Sequence, residues 1–412
     1  MTAKDRNLLR ELARRVAEVA ATPHELEKSD LWEAQNRLEP VRPLIFISPE
    51  GAWEELLPPS SMECEEADAR GIEYGFRMRL YAAEHFSDDQ QCDHYFNVGP
   101  VVHMTGWGLA WETHAPEQYK GAYVWDAPVK PMDDVELIQT PTARLDEEAT
   151  ARNLAFYDEL LGDILEVRLR GQYWWALGLI DEWTMLRGIT QTYLDMSDNP
   201  ELLRAGMQRL SDGRLAWLKS LEEQGALCLN NGNDYVGSGS FGYATELPQR
   251  DFEGTVRLKD MWGFTEAQTM SEVSPDMHEE FVLPYQLPIL EQFGLTIYGC
   301  CEPLHLKLDF LMKRVPHLRR VSISPWADKR ISAEKLGNKV IYNWKPNPAT
   351  LAGVQFDPEW VRQDIRETLE IARANDCVLD IVLKDTHTCN GDPARFDEWG
   401  RIAREEVMRS VE

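Results

Sequence analysis

Two periods of hydrophobicity alternate along this chain. Short apolar, β-branched runs suited to buried parallel strands lie at Pro43–Ser48, Tyr95–Val102, Tyr173–Leu179, Ala226–Asn231, Met261–Thr265, Leu295–Cys300, Leu318–Ile323, Val340–Asn343 and Val378–Lys384. Amphipathic helical patterns separate them, and several begin with an N-cap residue followed by proline: Ser274-Pro275, Asp357-Pro358 and Asp392-Pro393. After Asp357, the residues Val361, Ile365, Leu369 and Ala372 fall on one helical face, as packing on a sheet requires. An N-terminal helical stretch over roughly residues 3–36 precedes the first strand. The expected architecture is therefore α/β, a single (β/α)8 barrel with extra N-terminal helices, divided as a helical extension (1–40) and a catalytic barrel (41–412). A doubly wound open sheet is the alternative, but no glycine-rich nucleotide-binding pattern follows any strand.

Chemistry collects where strands turn into helices. Tyr298-Gly-Cys300-Cys301-Glu302 ends one run, and Asp385-Thr-His387-Thr-Cys389 ends another. Strand alternation would put Tyr298, Cys300 and Glu302 on one face, and Asp385, His387 and Cys389 on one face at the second site. Thiolate, imidazole and carboxylate are zinc's usual ligands, so a subset of Cys300, Cys301, Glu302, His387 and Cys389 is the candidate metal set. The competing reading is that such cysteines are small buried core residues. Asn231, Asp234 and Glu266 also fall at expected strand ends, where they either orient a substrate or cap the next helix. Aromatic residues in flexible loops, Trp107, Trp111, Phe241 and Tyr243, together with Trp262, are candidates to cover a flat substrate; core packing is the default for any one of them. Lys345 either receives an anionic group or is a solvated loop residue, and the second is the expected reading.

Composition narrows the field. With 43 basic and 70 acidic residues the formal charge is −27, which repels phosphate backbones and anionic lipid, so neither nucleic acid nor a membrane is an expected partner. Seven cysteines make a sparse, odd set unlike a disulfide framework, and no apolar run is long enough to span a bilayer; a cytoplasmic location is expected.

Three stretches carry a family likeness. Ala176-Leu-Gly-Leu-Ile-Asp-Glu-Trp-Thr-Met-Leu-Arg-Gly188 looks like a cleft-lining segment. Asn230-Asn-Gly-Asn-Asp234-Tyr-Val-Gly-Ser238 with Ser274-Pro-Asp-Met-His-Glu-Glu-Phe-Val-Leu-Pro-Tyr285 is similar to an "Asp-Asp-x-Gly … Ser-Pro … Phe-x-x-Pro-Tyr" pattern. Tyr298-Gly-Cys300 and Cys389 stand where His-x-Cys and a later single Cys occur. On these residues, from about position 170 onward, the chain resembles the uroporphyrinogen decarboxylase superfamily, in its corrinoid-linked, zinc-dependent methyltransferase branch. It departs from it in carrying tyrosine at 298, and in lacking the Arg-Gln-Ala-Gly-Arg signature of true decarboxylases; the corresponding region reads Arg42-Pro-Leu-Ile-Phe-Ile-Ser-Pro-Glu-Gly51. The resemblance implies a methyltransferase that demethylates a small, aromatic methoxy substrate and passes the methyl to the cobalt of a separate corrinoid-binding protein, with zinc as Lewis acid. Glu266, Asp234 and Tyr298 are then the candidate catalytic groups, and Trp107, Trp111, Asn231, Phe241, Tyr243 and Trp262 the substrate-binding ones. A zinc-dependent methylcorrinoid:thiol methyltransferase and a non-catalytic ligand-binding barrel are the alternatives. Whether the chain forms a homodimer is open.

Overall fold

The computed structural model describes residues 1–114 and 123–412. Its centre is a six-stranded, all-parallel sheet formed by β1 (Leu44–Ile47), β2 (Trp262–Thr265), β3 (Leu295–Tyr298), β4 (Leu318–Ile323), β5 (Ile341–Trp344) and β6 (Leu379–Leu383), in the order β1-β6-β5-β4-β3-β2. From β2 to β6 each strand lies beside its predecessor, and helices intervene in sequence between successive strands. This order has no reversal point, so it is not the doubly wound alternative. Every strand residue of β1, β2, β3, β5 and β6 is buried, which suits parallel strands covered on both faces.

The closed eight-stranded barrel expected from the pattern is not present as a continuous ladder: the sheet is open between β2 and β1 among the described strands. Two expected strands lie at the β2 edge without forming one. The 226–231 segment pairs with β2 through a side chain: Trp262 N donates to Asn230 Oδ1 at 2.9 Å, and Asn230 Nδ2 donates to Trp262 O at 3.0 Å. In the 173–179 segment Leu177 N donates to Phe264 O at 2.8 Å. The expected strand at 95–102 forms instead as Tyr95–Val98, paired in parallel with Glu166–Leu169 outside the main sheet.

Alternation sorts the strand side chains into two layers. Ile45, Ile47, Val321, Ile323, Tyr342, Trp344, Ile381 and Leu383 join the core under the helices. Leu44, Phe46 and Val382 face the other way, onto Trp32, Phe241 and Tyr243. Helices α1 (Ala3–Ala20) and α2 (Pro23–Asn36) precede β1, and α2 is bound to this inner face: Gln35 Nε2 donates to Leu379 O at 2.8 Å, and Asn36 Nδ2 donates to Phe241 O at 3.0 Å and Tyr243 O at 2.7 Å. The 234–243 loop packs on the same face. It passes so close that a Cβ on Gly239, itself at φ +104, would lie 2.5 Å from Val382 Cγ1. No helix among the described residues is long and apolar enough to cross a membrane.

Candidate functional site

The C-terminal ends of the parallel strands form one edge. In chain order that edge carries Glu266 after β2, Cys300 and Cys301 after β3, Lys345 after β5, and Lys384 and Asp385 after β6. In α/β sheets this is where ligands bind, because loops there are free of the ladder.

A thiol and lysine centre occupies its middle. Cys300 Sγ lies 3.4 Å from Cys301 Sγ and accepts from Ser238 Oγ at 3.0 Å. Cys301 Sγ in turn reaches Asp385 Oδ2 at 3.5 Å. Lys384 Nζ donates to Ser238 Oγ at 3.3 Å and pairs with Asp385 Oδ1 at 3.0 Å and Glu50 Oε1 at 3.6 Å. The bond from the Cys301 thiol holds the Cys300 thiol below its ordinary value against the opposing effect of burial, and the Lys345 and Lys384 charges add to it. Burial pushes Lys345 down to about 8, with the Lys384 charge acting in the same direction. Lys345 is thus fully buried, bonded to Asn343 Oδ1 at 3.1 Å, and not the solvated loop residue its Pro-Asn-Pro context suggests.

The five expected metal donors do not converge. Gly299, at φ +88, turns the chain directly after β3 and breaks the alternation, so Tyr298 and Cys300 end on opposite layers. Tyr298 is buried under the helices, donates to Gln286 Oε1 at 2.7 Å and lies 2.7 Å from His278 Nε2. Burial, with the Lys307 charge, holds that imidazole neutral at about 3. Since the tyrosine proton goes to Gln286, His278 is the Nε2–H tautomer, and its Nδ1 is left without a partner. Tyr298 therefore faces away from the strand-end cleft expected for a catalytic group. Glu302 is fully buried and accepts from Cys300 N at 2.8 Å and Ala267 N at 2.9 Å, a strut between two strand ends. Asp385, at φ +58, ends the second expected shared face in the same way. His387 is exposed, and Cys389 is a buried thiol donating to Glu55 Oε2 at 3.0 Å. Burial and the Glu55 carboxylate push Cys389 up to about 12, the reverse of what a thiolate ligand needs. As arranged, the set does not fit a tetrahedral ion. Among the described residues, the group whose ligand atoms all lie within 4.8 Å of one another is Glu112, His114 and Asp126, exposed on the antiparallel pair of Glu112–His114 with Val124–Asp126.

Beside the thiol centre lies a cleft of about 320 Å³, lined by Trp107, Trp111, Trp175, Asp181, Glu182 and Glu266 among others. Glu266 is buried and accepts from Gln268 N at 2.8 Å; burial, with the like charges of Asp181 and Glu302, holds its carboxyl well above the usual range. Gly178 permits this approach, because a Cβ there would stand 2.6 Å from Glu266 Oε1. Trp175 joins cleft and centre, its ring centroid lying 5.9 Å from Lys384 Nζ.

Trp175 also lines a second cavity, of about 570 Å³, with Asp234 and Arg170. Arg170 Nε donates to Asp234 Oδ1 at 2.9 Å, and Arg170 Nη2 to Asn231 Oδ1 at 3.1 Å, so Asp234 is ion-paired and Asn231 is bonded to the same guanidinium. Of the expected substrate-binding aromatics, Trp107 and Trp111 line the cleft. Phe241, Tyr243 and Trp262 are core: Phe241 packs edge-on to Phe46 and Trp32, Tyr243 bonds Gln91, and Trp262 Nε1 donates to Gly242 O at 2.8 Å. Apolar strand and loop context made these rings look alike; only the plugging of the sheet by the 234–243 loop separates them. Ser238, Lys384 and Trp175 escaped the sequence reading, because nothing local marks a serine between glycines, a strand-end lysine or one ring of a Tyr-Trp-Trp run.

No protein-family model and no curated protein matches the chain. Among solved structures, the fold is similar to that of a methyltransferase from Methanosarcina mazei, with a TM-score of 0.50 and 12% identity, covering 92% of this chain and 98% of that one. At that identity the likeness is one of fold.

Proposed function

We propose that this protein is a methyltransferase that takes a methyl group from a small donor seated in the tryptophan cleft and hands it to a corrinoid protein docking over the strand-end edge. The carrying observation is the adjacency, across Trp175, of an apolar cleft floored by a buried carboxyl and a charged thiol centre on one edge of the sheet. The sequence resemblance and the fold of the Methanosarcina mazei methyltransferase support the reaction class.

Methyl transfer needs a donor carbon held in line between leaving atom and acceptor, and water kept out. A partner-borne reduced corrinoid supplies the nucleophilic acceptor. Within this chain, Trp107 and Trp111 hold the donor, Trp111 and Trp175 are open enough at the mouth (39% and 42% exposed) for a partner to cover them, and Glu266 faces the departing atom. In an O-methyl donor the leaving alkoxide is poor, and a carboxyl whose burial favours the protonated form can give its proton to that oxygen. Zinc has no part in this scheme, since the donors expected to bind it do not meet. Burial of Phe241, Tyr243 and Trp262 also removes most of the flat slot an aryl ether would use.

The test is a demethylation assay with reduced cobalamin as acceptor and a panel of methoxybenzenes, alkyl ethers, methylated amines and thiols, scored by the demethylated product. Turnover of at least one oxygen or nitrogen donor, lost in Glu266→Gln, is expected. In a parallel assay with methylcobalamin as donor, methylation of a free thiol alone favours a thiol methyltransferase, and turnover of nothing in either direction returns the protein to a ligand-binding role.

A further inference from the structure

We infer that the tryptophan cleft is built for a small quaternary ammonium cation, so that the methyl donor is a methylated ammonium compound and not a neutral ether. This rests on the proposed methyl transfer only for the word donor; the binding itself stands on the cleft. Its volume of about 320 Å³ is at the small end of ligand sites, suited to a compact ligand.

The walls and the charges point the same way. Trp107, Trp111 and Trp175 line it, and indoles are the strongest cation–π partners among side chains; sets of such rings recognise trimethylammonium groups. Two of these rings already stand within cation–π reach of protein cations, Arg214 at 5.6 Å from Trp107 and Lys384 at 5.9 Å from Trp175. Three carboxyl side chains share the lining, and they are compensated unequally. Glu182 is ion-paired with Arg214. Asp181 receives only neutral donors, Thr269 Oγ1 at 2.9 Å and Gln268 Nε2 at 3.4 Å, and Glu266 receives the Gln268 backbone N–H. Among the described residues neither Asp181 nor Glu266 has a cationic partner, although Glu266 is buried. Asp181, half-buried and without a counter-ion, puts an uncompensated charge in the lining, and that charge adds to the burial that holds Glu266 above the usual carboxyl range; a bound cation answers it.

Hydrogen bonding selects the kind of cation. Each of the two unpaired carboxyls already accepts a bond from a protein donor, so the cleft calls for positive charge more than for further N–H groups. A primary ammonium would lose several water hydrogen bonds on entering a wall of indole faces. A quaternary ammonium has none to lose, and its methyl groups bury apolar area against the rings. A neutral arene would stack equally well but leave the charge of Asp181 unanswered.

The experiment is titration calorimetry of the full chain, without any corrinoid, using choline and its neutral carbon isostere 3,3-dimethylbutan-1-ol. Choline should bind one per chain and about tenfold or more tightly than the isostere. Asp181→Asn should weaken choline severalfold and leave the isostere unchanged. Trp111→Ala, at an exposed ring whose loss does not threaten the core, should weaken both. Equal affinity for the two probes, no choline binding, or preference for anisole over choline would overturn the inference. If choline binds as described but no methylated ammonium compound is demethylated, the methyl-transfer reading fails and the cation site stands.

Discussion

Arg320 and Asp380 allow a quantitative test of what anchors the inner face of the sheet. Both are buried, 1% and 0% exposed, with Nη2 and Oδ2 3.1 Å apart. Arg320 Nη2 also donates to Asn36 Oδ1 at 3.0 Å, and Asn343 Nδ2 donates to Asp380 Oδ1 at 2.8 Å and to Gly239 O at 3.0 Å. With Asn343, the pair thus ties α2, three strands and the loop that carries Ser238. At 3.1 Å and an effective dielectric of about 20, its Coulomb attraction is about 5 kcal/mol. Burial nevertheless holds Asp380 above the usual carboxylate range and Arg320 below the usual guanidinium range, so desolvation outweighs that attraction for each partner. Removing one charge should therefore cost about 3–5 kcal/mol, whereas removing both should cost far less. We expect Arg320→Met to lose about 3–5 kcal/mol in urea unfolding, and Arg320→Met with Asp380→Leu to return to within about 1–2 kcal/mol of the parent. The pH dependence has a definite sign. Without Arg320, Asp380 keeps its proton in the folded state to higher pH, while the unfolded chain releases it near 3.9. The folded state then binds more protons, so stability falls by up to about 1.4 kcal/mol per pH unit through that window, and the deficit against the parent widens as pH rises. A loss below about 1 kcal/mol, or a double variant no better than the single, would refute this account.

Three further outcomes follow from the site. Gly178→Ala places a Cβ 2.6 Å from Glu266 Oε1 and 2.8 Å from Glu266 O, and should cost about 1–3 kcal/mol by thermal or urea unfolding while weakening ligand binding in the cleft. Lys345→Met removes a buried cation that favours the Cys300 thiolate, so the midpoint of the thiolate absorbance assigned by comparison with Cys300→Ser should move to higher pH; an unmoved midpoint would show that the lysine does not act on the thiol. His387→Ala and Cys389→Ala should leave elemental composition and turnover unchanged, because one side chain is exposed and the other is a thiol bound to Glu55; stoichiometric zinc lost in either variant would restore the metal centre.

Periodicity alone carried much of the architecture. The runs at Leu44, Trp262, Leu295, Leu318, Ile341 and Leu379 became the six strands, because residues buried on both faces must be apolar regardless of what lies further along the chain. The same logic located the reactive edge, since a strand that ends in Cys300 or Lys384 exports those groups to the rim of a parallel sheet. It failed where a side chain or a turn replaced the regular backbone. Asn230 pairs with Trp262 by its amide, so an apolar run lies at the edge without forming a strand. Gly299 and Asp385, both at positive φ, reverse the faces that strict alternation assigned to Tyr298, His387 and Cys389, and so scatter the expected metal donors. Which tryptophans meet a ligand was likewise a long-range matter. Trp262 and Trp175 both fall in apolar runs, and only the 234–243 loop packing against the inner face buries the first, while the edge beside β2 leaves the second at the mouth of the cleft. Local chemistry specified the elements and their ends; contacts between residues far apart in the chain decided which of those ends became a site.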